Sequence, residues 1–525
     1  MVDRFKCSLI IAAILAIPAA RGAAQQAGST DLQSRAPTLQ VNARLVVLDV
    51  VVTGHSGQVR NDLTRDDFHI TEDGVPQTIL NFEPPTTHDV PTGAPITSTA
   101  DLEARAPQSP VDVIVLDEMN TSFQDMAFAR YALKKYLNAQ SDHVQAPTEL
   151  IAVSFDKFLV LHDYTQDRGA ILAALNHHLT HYPWNLQTGE SKIMNFAKSL
   201  GALEQVAEAT AGHPGHKNVI WVGKGFPGID LSSPAVMPNA VAAITYAMHQ
   251  AVNMLRDSRI TLYTIDPTIL TATVATTTDA DSILGADDGV MDATAPDPFV
   301  GDVNFTGLAK ATGGKSFYSR NDVDREIGES VRDGVNYYTI SYRPTNTSDA
   351  EKPYRKIRVA FTIPGLHAYY RDGYYTQGND DPAHPGARLK YDMAAAEQST
   401  MVYTGLKVLA AAKPGAPDIY VVGLPEQELV WIADGGSESA KLTVVAVAVN
   451  NRNEVLRRAT VDVTAHRPNS DSAKRNPETL ARVEIALPPG PNTYRIRFVV
   501  RADGNGRIGT ADIAIPGAAP AKNKR

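Results

Sequence analysis

Residues 111–121 read Val-Asp-Val-Ile-Val-Leu-Asp-Glu-Met-Asn-Thr, and the expected fold follows from this stretch. The apolar run 113–116 is closed by Asp117, which is typical of a strand buried on both faces whose C-terminal end opens into a polar loop. Residues 123–137 then show the three- and four-residue spacing of an amphipathic helix. Open α/β sheets bind their ligands at such strand ends, so the segment after Asp117 is a candidate site.

Strand, loop and helix patterns alternate along the next stretch of the chain. Short apolar runs occupy residues 149–155, 217–222 and 259–265, and helical patterns occupy residues 193–203 and 241–255. This alternation predicts a mostly parallel sheet with helices on both faces.

Several motifs in this order resemble a known family. They are Leu116-Asp-Glu-Met-Asn-Thr, Lys217-Asn-Val-Ile-Trp-Val-Gly and Leu308-Ala-Lys-Ala-Thr-Gly-Gly-Lys-Ser-Phe, with flanking motifs that begin at Arg44, Leu63 and Tyr337. Together they resemble the von Willebrand factor type A (VWA) domain, in the variant found in VWFA-related proteins secreted by acidobacteria. The resemblance implies an α/β, Rossmann-type doubly wound domain at residues 111–334.

The N-terminal sequence indicates export, and the composition limits the chemistry and the partners of the chain. Arg4 and Lys6 precede an apolar run at 7–20 and small residues at 22–24, a pattern that predicts a cleaved secretory signal, with a membrane anchor as the alternative. The only cysteine is Cys7, so cleavage would exclude disulfides and thiol chemistry. The net charge of -9 gives no basic surface for nucleic acid, which we exclude as a partner.

The flanks of the α/β region are rich in β-strand patterns. Residues 39–83 and 335–376 are expected to pair in one sheet of a β-sandwich, with Asp73-Gly74 as a hairpin turn; two unrelated small sheets are the alternative. Turn residues at 450–453 and 488–491 predict two hairpins in a C-terminal β-sandwich. The expected segments are a signal peptide (1–24), a disordered segment (25–38), the N-terminal flank of the first β-sandwich (39–83), a linker (84–110), the VWA-like domain (111–334), the C-terminal flank of the first β-sandwich (335–376), a linker (377–390), the C-terminal sandwich (391–516) and a tail (517–525).

The family pattern directs attention to a metal site. VWA domains bind a divalent cation through an Asp-x-Ser-x-Ser motif, a threonine from a second loop and a late aspartate. Asp117 and Thr121 match the first motif, but Met119 replaces a serine and Lys224 takes the place of the late aspartate. A thioether is a poor ligand for a hard cation such as Mg²⁺. The resemblance leaves Thr188 or Ser191 as the second-loop hydroxyl.

Three arrangements of this degenerate metal ion-dependent adhesion site are open. The Lys224 ammonium could replace the cation and pair with Asp117. Alternatively, Lys224 points into solvent and Asp117 caps the loop or the following helix. In the third, Mg²⁺ is retained by Asp117 and Thr121, helped by Glu118, Asn120 or Asp125. The candidate binding residues at this face are Asp117, Asn120, Thr121, Thr188, Ser191 and Lys224.

Enzymatic patterns are weak in this sequence. Residues 266–302 contain acidic residues without calcium-loop spacing, and we interpret them as a solvated loop. His177, His178 and His181 are interpreted as a surface cluster, and no nucleophile, phosphate-loop or dinucleotide motif occurs. We therefore expect a secreted or periplasmic, non-enzymatic protein without a cofactor that binds a protein or cell-envelope component. A secreted hydrolase with an unrecognised site and an envelope scaffold with a purely structural VWA fold are the alternatives.

Overall fold

The computed structural model of the chain describes residues 45–88, 93–155, 157–180, 189–234, 236–268, 298–299, 301–318, 320–345, 354–376, 387–434, 436–468 and 479–515. The expected signal peptide, the segment 25–38 and the tail 517–525 lie outside the described residues, as do most of the acidic loop and residues 377–386. None of the described helices combines the length and apolar character needed to cross a membrane.

The helices and strands have the following bounds. The helices are α1 (Thr99–Arg105), α2 (Phe123–Ala139), α3 (Arg168–His177), α4 (Gly189–Ala209), α5 (Pro238–Asp257), α6 (Phe305–Ala311), α7 (Val323–Val335) and α8 (Ala387–Gln398). The strands of the first half are β1 (Val46–Thr53), β2 (Phe68–Glu72), β3 (Val75–Gln77), β4 (Ile79–Glu83), β5 (Val111–Asp117), β6 (His143–Val153), β7 (Phe158–Asp167), β8 (Lys217–Val222), β9 (Ile229–Asp230), β10 (Ile260–Ile265), β11 (Asp302–Val303) and β12 (Ser316–Phe317). Those of the second half are β13 (Tyr338–Tyr342), β14 (Tyr354–Phe361), β15 (His367–Tyr369), β16 (Gly373–Tyr375), β17 (Leu409–Lys413), β18 (Ala416–Pro425), β19 (Ile432–Asp434), β20 (Ser437–Val449), β21 (Val455–Pro468), β22 (Leu480–Ala486), β23 (Arg495–Ala502) and β24 (Ile508–Ala514).

A six-stranded sheet in the order β12-β10-β8-β5-β6-β7 forms the centre of the α/β region. Its strands are parallel except for β7, which is antiparallel to β6. Val113 and Val115 of β5 pack in one core with α4 and α5, while Ile114 and Leu116 pack in another with α2 and α7. Both faces of β5 are therefore buried, which explains its unbroken apolar run. The expected mixed α/β fold with a mostly parallel sheet is confirmed.

Strands from both flanks of the α/β region build a β-sandwich. β1 and β4 pair with β13, and β2 pairs with β14, all antiparallel. The two flanks do pair, but in two four-stranded sheets, β15-β1-β13-β4 and β16-β14-β2-β3, and not in the single sheet that we predicted. Aromatic rings of Phe68, Phe82, Tyr338 and Phe361 contact one another in the core of this sandwich. If all of these strands lay in one sheet, no second sheet would cover these aromatic side chains.

The predicted hairpin turn at Asp73-Gly74 is confirmed. Both residues have positive φ angles, 49° and 82°, and Glu72 pairs with Val75 across the turn. Positive φ at both central residues is the requirement of a type I′ turn, which Asp-Gly meets at low cost.

The C-terminal region contains sheets β17-β18-β22 and β19-β20-β23-β24, with β21 paired to β20. The predicted hairpin around residues 450–453 is present as the β20–β21 pair. The hairpin predicted around residues 488–491 is wrong, because β22 pairs with β18 and β23 pairs with β20 and β24. That connection instead leads from one sheet to the other. Helix α8, which begins inside the expected linker 377–390, was not predicted.

β20 is buried on both faces in its second half. Val444 and Ala446 face the C-terminal sandwich core, whereas Val445 and Val447 belong to the same core as α4, α5 and α8. The hydrophobic core of the α/β region therefore continues into the C-terminal sheet.

Candidate functional site

Asp117 is the last residue of β5, at the edge where the parallel strands end. Residues 118–122 then lead into α2, whose N-cap Ser122 accepts a hydrogen bond from the backbone N–H of Asp125 at 3.2 Å. Because β8 runs parallel to β5, it ends at the same edge. The loop after Val222 therefore lies beside the loop after Asp117.

The carboxylate of Asp117 is fully buried and holds both loops. Its Oδ1 accepts hydrogen bonds from the backbone N–H groups of Met119 and Asn120 at 3.2 and 3.0 Å. Its Oδ2 accepts from the Trp221 indole at 3.0 Å and from the Gly225 backbone N–H at 2.9 Å. The Asn120 amide nitrogen lies 3.2 and 3.1 Å from the two oxygens.

The surroundings of Asp117 act on its pKa in two opposite directions. Burial raises the pKa of Asp117, while hydrogen bonds from Asn120, Trp221 and Gly225 favour the ionised form and oppose that rise. A carboxylate offers about four lone-pair directions, and protein donors already approach both of its oxygens. A cation bound by Asp117 would have to displace these donors.

The side chain of Lys224 does not reach Asp117. It is exposed, and within the residues that the structure describes no ion pair joins it to Asp117. The pairing of Lys224 with Asp117, one of the three open arrangements, is therefore not formed, and Trp221 and Gly225 donate to Oδ2 of Asp117 in its place. Of the arrangements left open by the sequence, the structure matches the one in which Asp117 caps its loop and Lys224 faces solvent.

The loop after β8 requires two glycines. Gly223 and Gly225 have φ angles of 149° and 65°. A Cβ at Gly223 would lie 2.6 Å from Thr121 Oγ1 and would also overlap Cβ of Asp117. The Thr121 hydroxyl, a predicted metal ligand, instead accepts a hydrogen bond from the backbone N–H of Lys224 at 3.2 Å. Close packing thus fixes the backbone that carries Lys224.

Asn120 connects the Asp117 loop to α4. Its amide nitrogen donates to Ser199 Oγ at 3.0 Å, and its Oδ1 is buried without a hydrogen-bond partner among the described residues. Thr188 lies outside the described residues; Ser191 belongs to α4, and its side chain is likewise outside them. The structure therefore brings together Asp117, Asn120, Thr121 and the backbone of Lys224.

A buried contact between Glu118 and His178 connects the end of α3 to the loop after Asp117. Glu118 Oε1 lies 2.7 Å from His178 Nε2, and the two side chains are only 2% and 7% exposed. Arg130 donates to the carbonyl oxygen of His178 at 2.8 Å. The surface interpretation therefore holds for the exposed His177 but is wrong for His178, and His181 lies outside the described residues. Across the described ranges, no three His, Cys, Asp or Glu side chains are arranged to hold a metal ion.

The sequence interpretation missed Trp221, Ser199 and His178 as members of this site. Trp221 carried a usable signal, because an indole in the middle of a buried strand needs a hydrogen-bond acceptor nearby. Ser199 and His178 carried none, since neither belongs to a motif and their contacts depend on how the helices pack.

Comparisons with known proteins give weak likenesses. No family model matches the chain, and no curated protein matches it. Among solved structures, the VWA domain of SpRpn10 shares 13% identity over 31% of this chain and 90% of its own, with a TM-score of 0.17. Proximal thread matrix protein 1 from the mussel byssus shares 11% identity over 30% of this chain and 38% of its own, with a TM-score of 0.21. The human COPII-coat protein Sec24c shares 7% identity over 51% of this chain and 44% of its own, with a TM-score of 0.24. Because these likenesses are so weak, the function of this chain is inferred from its own residues.

Proposed function

We propose that this chain is an exported, VWA-related binding protein that engages a partner protein at the carboxyl edge of its parallel sheet without a metal ion. The observation that carries the proposal is the pair of positions 117 and 224. Asp117 is buried and occupied by protein donors, while Lys224, at the position of the family's late aspartate, presents its side chain to solvent.

Lys224 is well suited to receive an acidic group. The glycines on either side and the hydrogen bond to Thr121 hold its backbone in place, so little backbone freedom is lost on binding. Its ammonium group has no ion-pair partner among the described residues. In VWA domains the metal bridges to a carboxylate of the partner protein; here the ammonium supplies a positive charge at the same edge, with hydrogen bonds that need no metal.

Apolar side chains are exposed at this same edge. Phe123 begins α2, Met237 precedes α5 and Leu179 follows α3, and these three side chains are 66%, 67% and 74% exposed. Phe123 directly follows the Asp117 loop, and Leu179 follows His178, whose ring contacts Glu118 of that loop. Met237 precedes the helix that connects the parallel strands β8 and β10, so it lies at the same edge of the sheet. Exposed apolar groups around a charged centre favour a protein partner over a small ion. We therefore propose a partner surface that carries an acidic side chain flanked by apolar ones.

The first experiment compares capture by matched variants. The protein, Lys224→Glu and the control Lys407→Glu, which alters an exposed lysine of the C-terminal region, are used as bait against an envelope fraction. We expect a protein captured by the first and third baits and lost with Lys224→Glu, because charge reversal repels an acidic partner.

The captured protein is then purified and titrated against the bait in Mg²⁺ and in EDTA. We expect equal affinity in both solutions and weakening of about tenfold or more with Lys224→Glu. Binding that requires Mg²⁺ would contradict the metal-free mechanism. Binding that is unchanged by Lys224→Glu would place the partner on another surface.

A further inference from the structure

β21 is a long strand that has one pairing partner among the described strands. It has 14 residues and pairs with β20 along its length. No strand in the described ranges pairs with its other edge. Such an edge presents a row of backbone N–H and C=O groups that can form hydrogen bonds with a strand of another chain.

The two faces of β21 differ in a way that suits a continued sheet. Ala459, Val461 and Val463 are half-buried against the core of the C-terminal sandwich. Thr460 and Asp462, on the opposite face, are exposed. A strand added to this edge would extend the alternation of apolar and polar faces along residues 459–463.

We propose that two copies of this chain associate through β21, antiparallel, across a two-fold axis at Thr460. In this register Arg458 of each copy stands opposite Asp462 of the other, so two opposite-charge pairs form on the exposed face. Centring the axis on Asp462 would place two carboxylates opposite each other. Of these two registers, charge complementarity favours the one centred on Thr460, which gives a symmetric, self-complementary interface.

The present contacts of the two charged residues allow this pairing. Arg458 is 50% exposed while it contacts Glu397 at 2.8 Å, and a guanidinium has further N–H donors. Asp462 accepts a hydrogen bond from Thr443 at 3.0 Å and is otherwise exposed. Both can add a contact without giving up the one that they already make.

The test measures the oligomeric state of the protein by sedimentation equilibrium. We expect a concentration-dependent dimer for the unmodified chain. Asp462→Arg and Arg458→Asp should each weaken association by about tenfold or more, because each places like charges opposite each other twice. Glu484→Arg, which reverses an exposed acid on the other sheet of the sandwich, should leave association unchanged.

Mixing the two weakened variants separates the interface from a folding defect. A chain with Arg458→Asp carries two acids at these positions, and a chain with Asp462→Arg carries two arginines. Their mixture should therefore restore dimerisation as a heterodimer in which both pairs are attractive. A monomeric unmodified protein, or a dimer unaffected by either reversal, would overturn the proposal. Variants that fold by circular dichroism but do not recover on mixing would also overturn it.

Discussion

At the scale of single residues, the carboxylate of Asp117 is satisfied entirely by groups of the protein. It stands at the end of β5, and its oxygens accept hydrogen bonds from the Trp221 indole and the Gly225 backbone. A buried carboxylate needs partners, and either a cation or N–H donors can supply them. The donors of the protein fill that need here.

Gly223 is the residue that makes this packing possible, and it gives the sharpest test. Gly223→Ala should destabilise the protein by about 2–4 kcal/mol, because the new Cβ would overlap Asp117 and the positive φ angle is unfavourable for alanine. The measurement is chemical denaturation. Gly228→Ala is the matched control: its Cβ would lie 3.9 Å from Asn304, an ordinary contact, and should change stability by less than about 0.5 kcal/mol. Equal effects of the two changes would disprove the packing argument.

Asp112 gives a prediction about pH. Burial raises the pKa of Asp112 from 3.8 to about 7, although the Asn218 amide donates to it at 2.8 Å. The folded state therefore binds a proton more tightly than the unfolded state, and stability falls as pH rises from 3.8 towards about 7. Asp112→Asn removes this loss. We expect its stability relative to the unmodified protein to rise across that range by up to about 4 kcal/mol.

The pH dependence is measured by urea denaturation of both proteins from acid to neutral pH. Asp142→Asn serves as the control, because that side chain is 91% exposed. A difference between Asp112→Asn and the unmodified protein that stays constant with pH would show that Asp112 has the same proton affinity in both states.

At the scale of elements, periodicity predicted most of the α/β region. The run at residues 217–222 corresponds to β8, and the pattern at 123–137 to α2. Both signals are local. The spacing of apolar residues within one short segment shows whether a strand is buried on two faces or a helix on one. The same holds for Asp73-Gly74, where the turn requires residues that tolerate positive φ.

Strand pairing was less predictable because it depends on distant residues. The turn residues at 488–491 are equally suited to a hairpin and to a connection between two sheets. Only the pairing of β18 with β22 decides between these two structures. Dependence on distant residues also limits how much of the candidate site can be predicted from the sequence. The sequence places Asp117, Thr121 and Lys224 near one edge, but which group donates to Asp117 is determined by the backbone angles at Gly223 and Gly225.

At the scale of the whole molecule, a largely buried ionic cluster joins the first sandwich to the α/β region. Asp49 of β1 contacts Arg259 at 2.5 Å and His216 at 3.0 Å, and accepts a hydrogen bond from Thr339 at 2.9 Å. Burial alone would raise the pKa of Asp49, but Arg259 and His216 hold it well below its usual range. The stability that this contributes is complete above the ordinary carboxyl pKa and is lost as pH falls below it.

Removing this carboxylate should be costly. We expect Asp49→Ala to lower the free energy of unfolding by up to about 3–5 kcal/mol, because Arg259, whose side chain is only 25% exposed, would lose its counter-ion. Thermal and urea denaturation provide the measurement. Asp62→Ala breaks the ion pair with Arg60, in which Asp62 is 66% exposed, and should have almost no effect. If the two changes cost the same, the cluster would not hold the two regions together.

The pairing of β1 and β4 with β13 also affects when the first sandwich can fold during synthesis of the chain. β4 ends at Glu83 and β13 begins at Tyr338, about 250 residues later. At a synthesis rate of about 5–20 residues per second, the early strands wait roughly 10–50 seconds for their partners to be made. During that interval their apolar side chains and unpaired edges are exposed to other chains. Correct folding of the first sandwich therefore depends on the early strands being kept apart from other chains until the C-terminal flank of the α/β region has emerged.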